Sequence, residues 1–501
     1  MAAESPKDPE TPLGQLALYQ SLGMSGPLPF VQSCLVAGAR RTRETESRQE
    51  ERYPAEYRTD GTPLGHLRFA LRHEPLDLRI VVTAFRAIGE EALSAWVRAE
   101  PTGAHSRRAW FLYETLTGRT LDLPAVRTGN YVDALDAKLH FVARPVNSPR
   151  HRVRDNLLGT GDLCPAVRRT ARLEEMVAQR LDERARTLTA HYDPETLARA
   201  VSFLYTKETR SSFAIEGETP TPNREERFLQ ALQGAANFDP ASKGALLRLQ
   251  GTIVDPRYAA ADYRDFQNFV GETTRRYGER VHFICPRPED VPALMRGWAE
   301  LTRRLDSDPL DPVVAAALSA FTFVFIHPFE DGNGRIHRFL IHSVLSRRGY
   351  TPEGMIFPVS ASILRDRRRY DAALEAFSKP ALLATEWTFA ESGEVRVQNN
   401  TGDLYRFVDA TPQVEYLYER VKDTIDVDLK EELDWLVVYE EAFRRVRSVV
   451  DMPDRRASLL IRLCLQNQGR LSQTKRPQFA ELTDDEIARI EEELQRAMLQ
   501  A

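Results

Sequence analysis

From Val313 to Ile326 the chain has no polar face: the residues are apolar all around a helical wheel, interrupted only by Ser319 and Thr322. A surface helix carries one apolar stripe, whereas a helix apolar on every side belongs in the middle of a core. Asp311-Pro312 in front of it reads as an N-cap with proline at the first helical position. The run falls short of the roughly 20 apolar residues that a membrane span needs, so no membrane association is expected. It stops abruptly at His327-Pro328-Phe329-Glu330-Asp331-Gly332-Asn333-Gly334-Arg335-Ile336-His337-Arg338. Helical spacing then resumes through Ile336, Phe339, Leu340, Ser343 and Val344, with Gly349 placed to end that helix.

The rest of the chain is organised around similar signals. At 501 residues it is too long for one ordinary core, so two or three domains are expected. Leu173, Met176, Val177 and Leu181 keep helical spacing. Asp193-Pro194 opens a helix carrying Leu197, Val201, Leu204 and Tyr205, and Thr483 to Glu486 is a capping box. Arg144 to Pro165, Lys379-Pro380 and Gln398 to Gly402 interrupt the periodicity and read as boundaries. The best strand is Arg280 to Ile284, after Gly278 and before Pro286 and Pro288, one arm of a small hairpin. The expected class is therefore all-α with one short β element. A formal charge of −5 gives no basic excess, so nucleic acid is not an expected partner. Cys34, Cys164, Cys285 and Cys464 are far apart and form no CxxC, which argues for buried free thiols in a reducing compartment. The opening residues hold no apolar signal segment, and a cytoplasmic location is expected.

The loop from His327 to Arg338 carries the chemistry. A tight Gly- and Asn-rich turn that opens onto a helix N-terminus aims backbone N–H groups, and the positive end of the helix dipole, at one point. That is a site for an anion such as a nucleotide phosphate. Arg335 and Arg338, three apart, share one helix face and can each fork onto phosphate oxygens. Asp331 is the nearest hard-cation ligand, of the kind Mg²⁺ takes beside phosphate oxygens. His327 has the side chain suited to base chemistry near neutral pH. Taken singly, a histidine at a helix end is usually a cap, a GNG is usually a turn and two arginines are usually a solvated face. All of them inside twelve residues point to a site.

HPFEDGNGRIHR resembles the signature of the Fic family, H-x-F-x-[D/E]-G-N-G-R-x-x-R, at every defining position. The resemblance implies a protein adenylyltransferase, which moves AMP from ATP to a Ser, Thr or Tyr hydroxyl of a target protein. It implies His327 as base, Asp331 as Mg²⁺ ligand, and Gly332, Asn333 and Gly334 as phosphate cradle. Arg335 and Arg338 would meet the β- and γ-phosphates, and Phe329 would anchor the loop in the core. The implied fold is a Fic-type helical bundle with a small β-hairpin flap, expected at Gly278 to Pro288. Tyr370, on a helical stretch from Arg365 to Phe377, is a candidate neighbour of the nucleobase. His337 and His342 lack metal-ligand spacing and are read as packing or surface residues.

Upstream, Ser212-Phe213-Ala214-Ile215-Glu216-Gly217 resembles the family's inhibitory motif, [S/T]-x-x-x-E-[G/N]. It implies an inhibitory helix near 205–217 whose Glu216 pairs with Arg338 where the γ-phosphate would sit. The expected layout is a helical N-terminal domain at 1–190, a Fic core at 191–385 and a helical C-terminal domain at 386–501. Other readings stay open: removal of AMP, transfer of UMP, GMP or phosphocholine at the same site, or a nucleotide-responsive binding module without turnover. A homodimer is also left open.

Overall fold

The structure, a computed structural model, describes residues 10–45, 48–273, 279–391 and 393–500. Gly278, the expected start of the flap, lies outside the described residues.

The apolar run forms the helix Pro312–Ile326, and all of its residues from Val313 onward except Val324 are buried. Asp311 caps it by accepting from the backbone N–H groups of Val313 and Val314, at 2.8 and 3.2 Å. Around it pack the helices Val291–Asp306, Asn333–Arg347 and Thr411–Asp423. The Trp298 indole N–H donates to the Ser319 carbonyl at 2.8 Å, the one polar link a buried indole requires. Phe321, Phe323, Phe325 and Phe329 fill the surrounding space, and this largest core cluster runs from Phe141 to Leu436.

The helix Pro194–Ile215 starts where the Asp-Pro pair predicts, with the Asp193 carboxylate accepting from the N–H groups of Glu195 and Thr196. It lies along the Asn333–Arg347 helix and carries the inhibitory-type motif at its C-terminal end. The hairpin is formed by Phe269–Thr273 and Glu279–Ile284, antiparallel, with Phe269 opposite Ile284 and a bulge between Val270 and Gly271. Its base is held by the Tyr405 hydroxyl, which donates to the Ile284 carbonyl at 2.7 Å.

The all-α class holds, but the flanks carry more β structure than periodicity predicts. The N-terminal third packs the helices Pro63–His73, Leu78–Ala99 and Ala104–Thr117 around Phe85, Trp96 and Trp110. Beside them Thr11–Pro12, Val31–Leu35, Gln49–Tyr53 and Arg41–Glu44 form a four-stranded sheet in that order, and three short strands between 132 and 155 form another. These strands escape a period-two reading because two of them, RTRE and QEERY, are almost wholly polar. A further hairpin joins Trp387–Phe389 to Val395–Val397.

Two expected interruptions also behave differently. Arg144 to Pro165 is no free linker: Leu157 and Cys164 enter the N-terminal core while Leu158 and Leu163 enter the central one. The helix Arg367–Ala384 runs on through Pro380, which lacks the N–H that would bond the carbonyl four residues back, so the helix continues at the loss of that one bond. At the other end Lys430–Val449, Asp454–Leu465 and Asp484–Gln500 share a separate small core around Leu460, Ile461, Cys464, Ile490 and Leu494. The capping box is present there: Glu486 donates its N–H to the Thr483 hydroxyl and accepts the Thr483 N–H. All four cysteines are free and buried. Among the described residues no helix is long and apolar enough to cross a membrane.

Candidate active site

The helix Pro312–Ile326 ends because His327 turns left-handed, with φ 53° and ψ 59°. That conformation closes the helix, since the His327 N–H still reaches the Phe323 carbonyl at 3.0 Å. It also sets the imidazole Nδ1 3.2 Å from the Val324 carbonyl oxygen. A carbonyl can only accept, so Nδ1 carries the hydrogen and Nε2 keeps its lone pair. Burial pushes the His327 imidazole down to about 4, with the Arg264 guanidinium adding to the effect and the carboxylates of Glu216 and Asp331 opposing it. The ring is therefore neutral near pH 7.

The loop that follows is tied by Asn333. Its side-chain oxygen accepts the Phe329 N–H at 3.1 Å and its amide donates to the Phe329 carbonyl at 2.8 Å. Asn333 thus closes the turn, and Phe329 plugs it into the core against Phe323 and Tyr263. Gly332 sits at φ 89°, a conformation costly for any side chain, and a Cβ there would press on Val254 at 3.0 Å. A Cβ at Gly334 would overlap the Glu216 carboxylate itself.

Arg335 and Arg338 project from the first turns of the Asn333–Arg347 helix and are each 1% exposed. Arg338 donates from Nε to the Ser212 hydroxyl, and from Nη2 to the Ser212 carbonyl and to Glu216 Oε1, all at 2.8 Å. Its Nη1 is buried with no hydrogen-bond partner among the described residues. Arg335 reaches Asp331 at 2.9 Å and Glu218 at 3.1 Å. Asp331 is half-exposed and also accepts the Gly332 N–H at 2.6 Å.

The two glutamates are presented by one helix ending. Gly217, at φ 72°, donates to the Ala214 carbonyl at 3.0 Å, and the Glu218 N–H reaches back to Phe213 at 3.1 Å, the paired bonds of a Schellman turn. Glu216 and Glu218 therefore flank the glycine and face the two arginines. A carboxylate at a helix C-terminus is disfavoured by the dipole. Burial would also raise the Glu216 carboxyl, but the guanidiniums of Arg338 and Arg335 more than offset this and hold it below its usual range.

His327, Asp331, Gly332, Asn333, Gly334, Arg335, Arg338, Ser212, Glu216 and Gly217 are thus gathered at one place. Tyr370 is nearby but packed into the core, its ring 6.2 Å from that of His337 and 6.0 Å from that of Tyr416, and burial pushes its hydroxyl up to about 12. His337 is wholly buried, edge-on to Phe321 at 4.6 Å. Sequence reasoning missed Glu218, although the acids of Glu216-Gly217-Glu218 flanking a cap glycine were a legible signal. It also missed Glu208, which shares the four-residue spacing of Ser212 and Glu216, and Arg264, for which no motif stands.

The Fic/DOC family model matches residues 240–345, which include the whole loop. The chain is 37% identical over 93 residues to a protein adenylyltransferase Fic of Nematostella vectensis, covering 19% of each. It is 30% identical over 231 residues to one of Drosophila mojavensis, covering 42% of this chain and 45% of that protein. The chain thus spans less than half the length of these curated relatives. A Fic family protein from Desulfovibrio desulfuricans G20 superposes on 62% of the chain, and 88% of its own, at 19% identity and a TM-score of 0.40, too loose a likeness to carry an argument. The segment from 240 to 345, with its loop between a buried helix and a helix start, is a Fic/DOC family domain.

Proposed function

We propose that this protein transfers AMP from ATP to a Ser, Thr or Tyr hydroxyl of a target protein, and that the conformation described is its self-inhibited one. The observation that carries this reading is the pairing of both loop arginines, 1% exposed, with carboxylates of a single helix ending. Buried arginines on a glycine-rich helix N-terminus form an anion site. Here Glu216 and Glu218 stand where phosphate oxygens would otherwise be. The names of the relatives agree with this chemistry.

The chain's own residues then have defined tasks. The Gly332 to Gly334 turn and the helix dipole receive the nucleotide phosphates, and Arg335 and Arg338 neutralise their outer charges. The target hydroxyl loses its proton to Nε2 of His327 as its oxygen attacks the α-phosphorus. The bond from that phosphorus to the bridging oxygen breaks, and pyrophosphate leaves onto the arginines. Positioning and charge stabilisation supply most of the rate, as is general for phosphoryl transfer. Asp331, half-exposed beside the loop, fits a Mg²⁺ ion that takes one carboxylate and several phosphate oxygens. Such an ion would offset phosphate charge. Among the described residues no cluster of three metal-ligating side chains exists.

Incubation with α-labelled ATP and Mg²⁺, with pyrophosphate detection, tests the reading. Glu216→Gly should label itself or candidate targets more strongly than the unaltered chain, and Arg338→Ala in that background should cancel the gain. Release of unmodified ATP alone, with no label transferred by any variant, would leave a binding module instead.

A further inference from the structure

We propose that Arg264 is the positioning residue for His327, a guanidinium that clamps the end of the buried helix to the base of the flap and thereby sets the imidazole tautomer used for proton removal. The inference rests on the reading of His327 as the base.

Arg264 is 5% exposed and lies in the loop before the flap. Its Nε donates to the His327 carbonyl at 2.8 Å, Nη1 to Phe266 at 2.8 Å, and Nη2 to Pro286 at 2.7 Å and Ile326 at 3.3 Å. Its own backbone N–H donates to the Pro328 carbonyl at 2.9 Å. Three consecutive carbonyls of the catalytic turn, Ile326, His327 and Pro328, are thus tied to one residue. The other two contacts reach both arms of the flap region. No carboxylate pairs with this cation among the described residues, and burial lowers its affinity for the proton.

A buried cation without an anion is costly, and here only neutral carbonyls compensate it. Two of them, Ile326 and His327, are orphan carbonyls at the negative end of a helix, which suits a cation. The consequence falls on His327. Its left-handed backbone is an uncommon conformation that persists only where its surroundings over-determine it. Fixing the carbonyls on both sides fixes that conformation, and with it the Nδ1 contact to Val324. The charged groups acting on the ring are Arg264, Glu216 and Asp331, and Arg264 is the one bonded to the carbonyls of Ile326, His327 and Pro328. Lysine cannot replace it, because one ammonium does not span four divergent acceptors.

The test uses the full chain with ¹⁵N-labelled histidine, the His327 signal being identified by its loss in His327→Gln. The unaltered protein should show the Nδ1–H tautomer; an Nε2–H signal there would overturn the proposal whatever the variants do. Arg264→Lys should shift His327 to a tautomer mixture, while Tyr405→Phe, which loosens the flap without touching the turn, should leave it unchanged. In a Glu216→Gly background Arg264→Lys should lower kcat about 10²-fold, the scale of a misplacement near 1 Å, with KM for ATP changed less than about threefold. A folded Arg264→Lys protein that keeps both its tautomer and its kcat would refute the positioning role. If no variant transfers AMP but the tautomer shifts as expected, the positioning stands and the transfer reading fails.

Discussion

Glu208 and His342 form a buried contact that joins the helix Pro194–Ile215 to the helix Asn333–Arg347. His342 Nε2 lies 2.7 Å from Glu208 Oε1, and neither side chain is more than 1% exposed. Ser360 completes the set by donating its N–H, at 2.8 Å, and its hydroxyl to the same carboxylate. Glu208, Ser212 and Glu216 are spaced by four on one helix, and Arg335, Arg338 and His342 by three and four on the other. Two polar seams therefore meet along one interface.

Removing Glu208 takes away the buried carboxylate on which the Ser360 N–H and hydroxyl converge. Glu208→Ala leaves those two buried donors unsatisfied, at about 1–3 kcal/mol each, read as a lowered midpoint in urea at pH 7. Because the same seam holds Glu216 in register, AMP transfer per folded molecule should rise in that variant. A midpoint unchanged from the parent would mean that the pair contributes nothing to holding the helix.

His327→Ala removes the proposed proton acceptor and leaves the arginines in place. In a Glu216→Gly background, transfer should fall by roughly 10²–10⁴, the usual contribution of a general base. ATP binding, followed by titration calorimetry, should change little. Undiminished transfer would take His327 out of the mechanism.

Glu218→Gln should release Arg335 in part. Asp331 still holds that arginine and Glu216 still holds Arg338, so labelling should rise less than with Glu216→Gly. The double variant should exceed either alone, because each carboxylate occupies a different arginine. Equal labelling by Glu216→Gly and the double variant would reduce Glu218 to a surface contact of Arg224, its other partner at 2.9 Å.

Glu74 offers a pH test remote from the site. It is buried, accepts the Gln15 N–H at 2.9 Å and the Ser33 hydroxyl, and has no cation against it among the described residues. Burial raises its carboxyl from 4.5 to about 7, the Ser33 and Gln15 hydrogen bonds only partly opposing this. A folded-state value above the unfolded one means that the protonated form favours folding. That stability is complete below about 4.5 and is lost as the pH rises through about 7. The shift corresponds to roughly 3 kcal/mol. Glu74→Gln, which stays neutral, should be close to the parent near pH 4.5 and more stable than it at pH 8, measured by denaturant unfolding. The opposite order at pH 8 would show that the carboxylate is stabilised as an anion.

Local physics made much of this protein legible. Asp311-Pro312, Asp193-Pro194 and Thr483 to Glu486 cap the helices they predict, because capping joins residues only two or three apart. The uniformly apolar stretch from Val313 had to be a central helix, and the glycines after His327 had to turn tightly before a new one. The residues of the site were visible for the same reason, being gathered in one loop and one helix end. What the residue string did not contain was the partnership of distant charges. Arg264 with the His327 carbonyl, Glu218 with Arg335 and Glu208 with His342 join segments more than 60 residues apart. The small N-terminal strands likewise read as polar loops until their neighbours supplied the ladder. The cause is common to all of them: a buried cation or an unpaired strand edge is satisfied by whichever group the packing of the helices brings within reach, and that register exists only once the chain has folded.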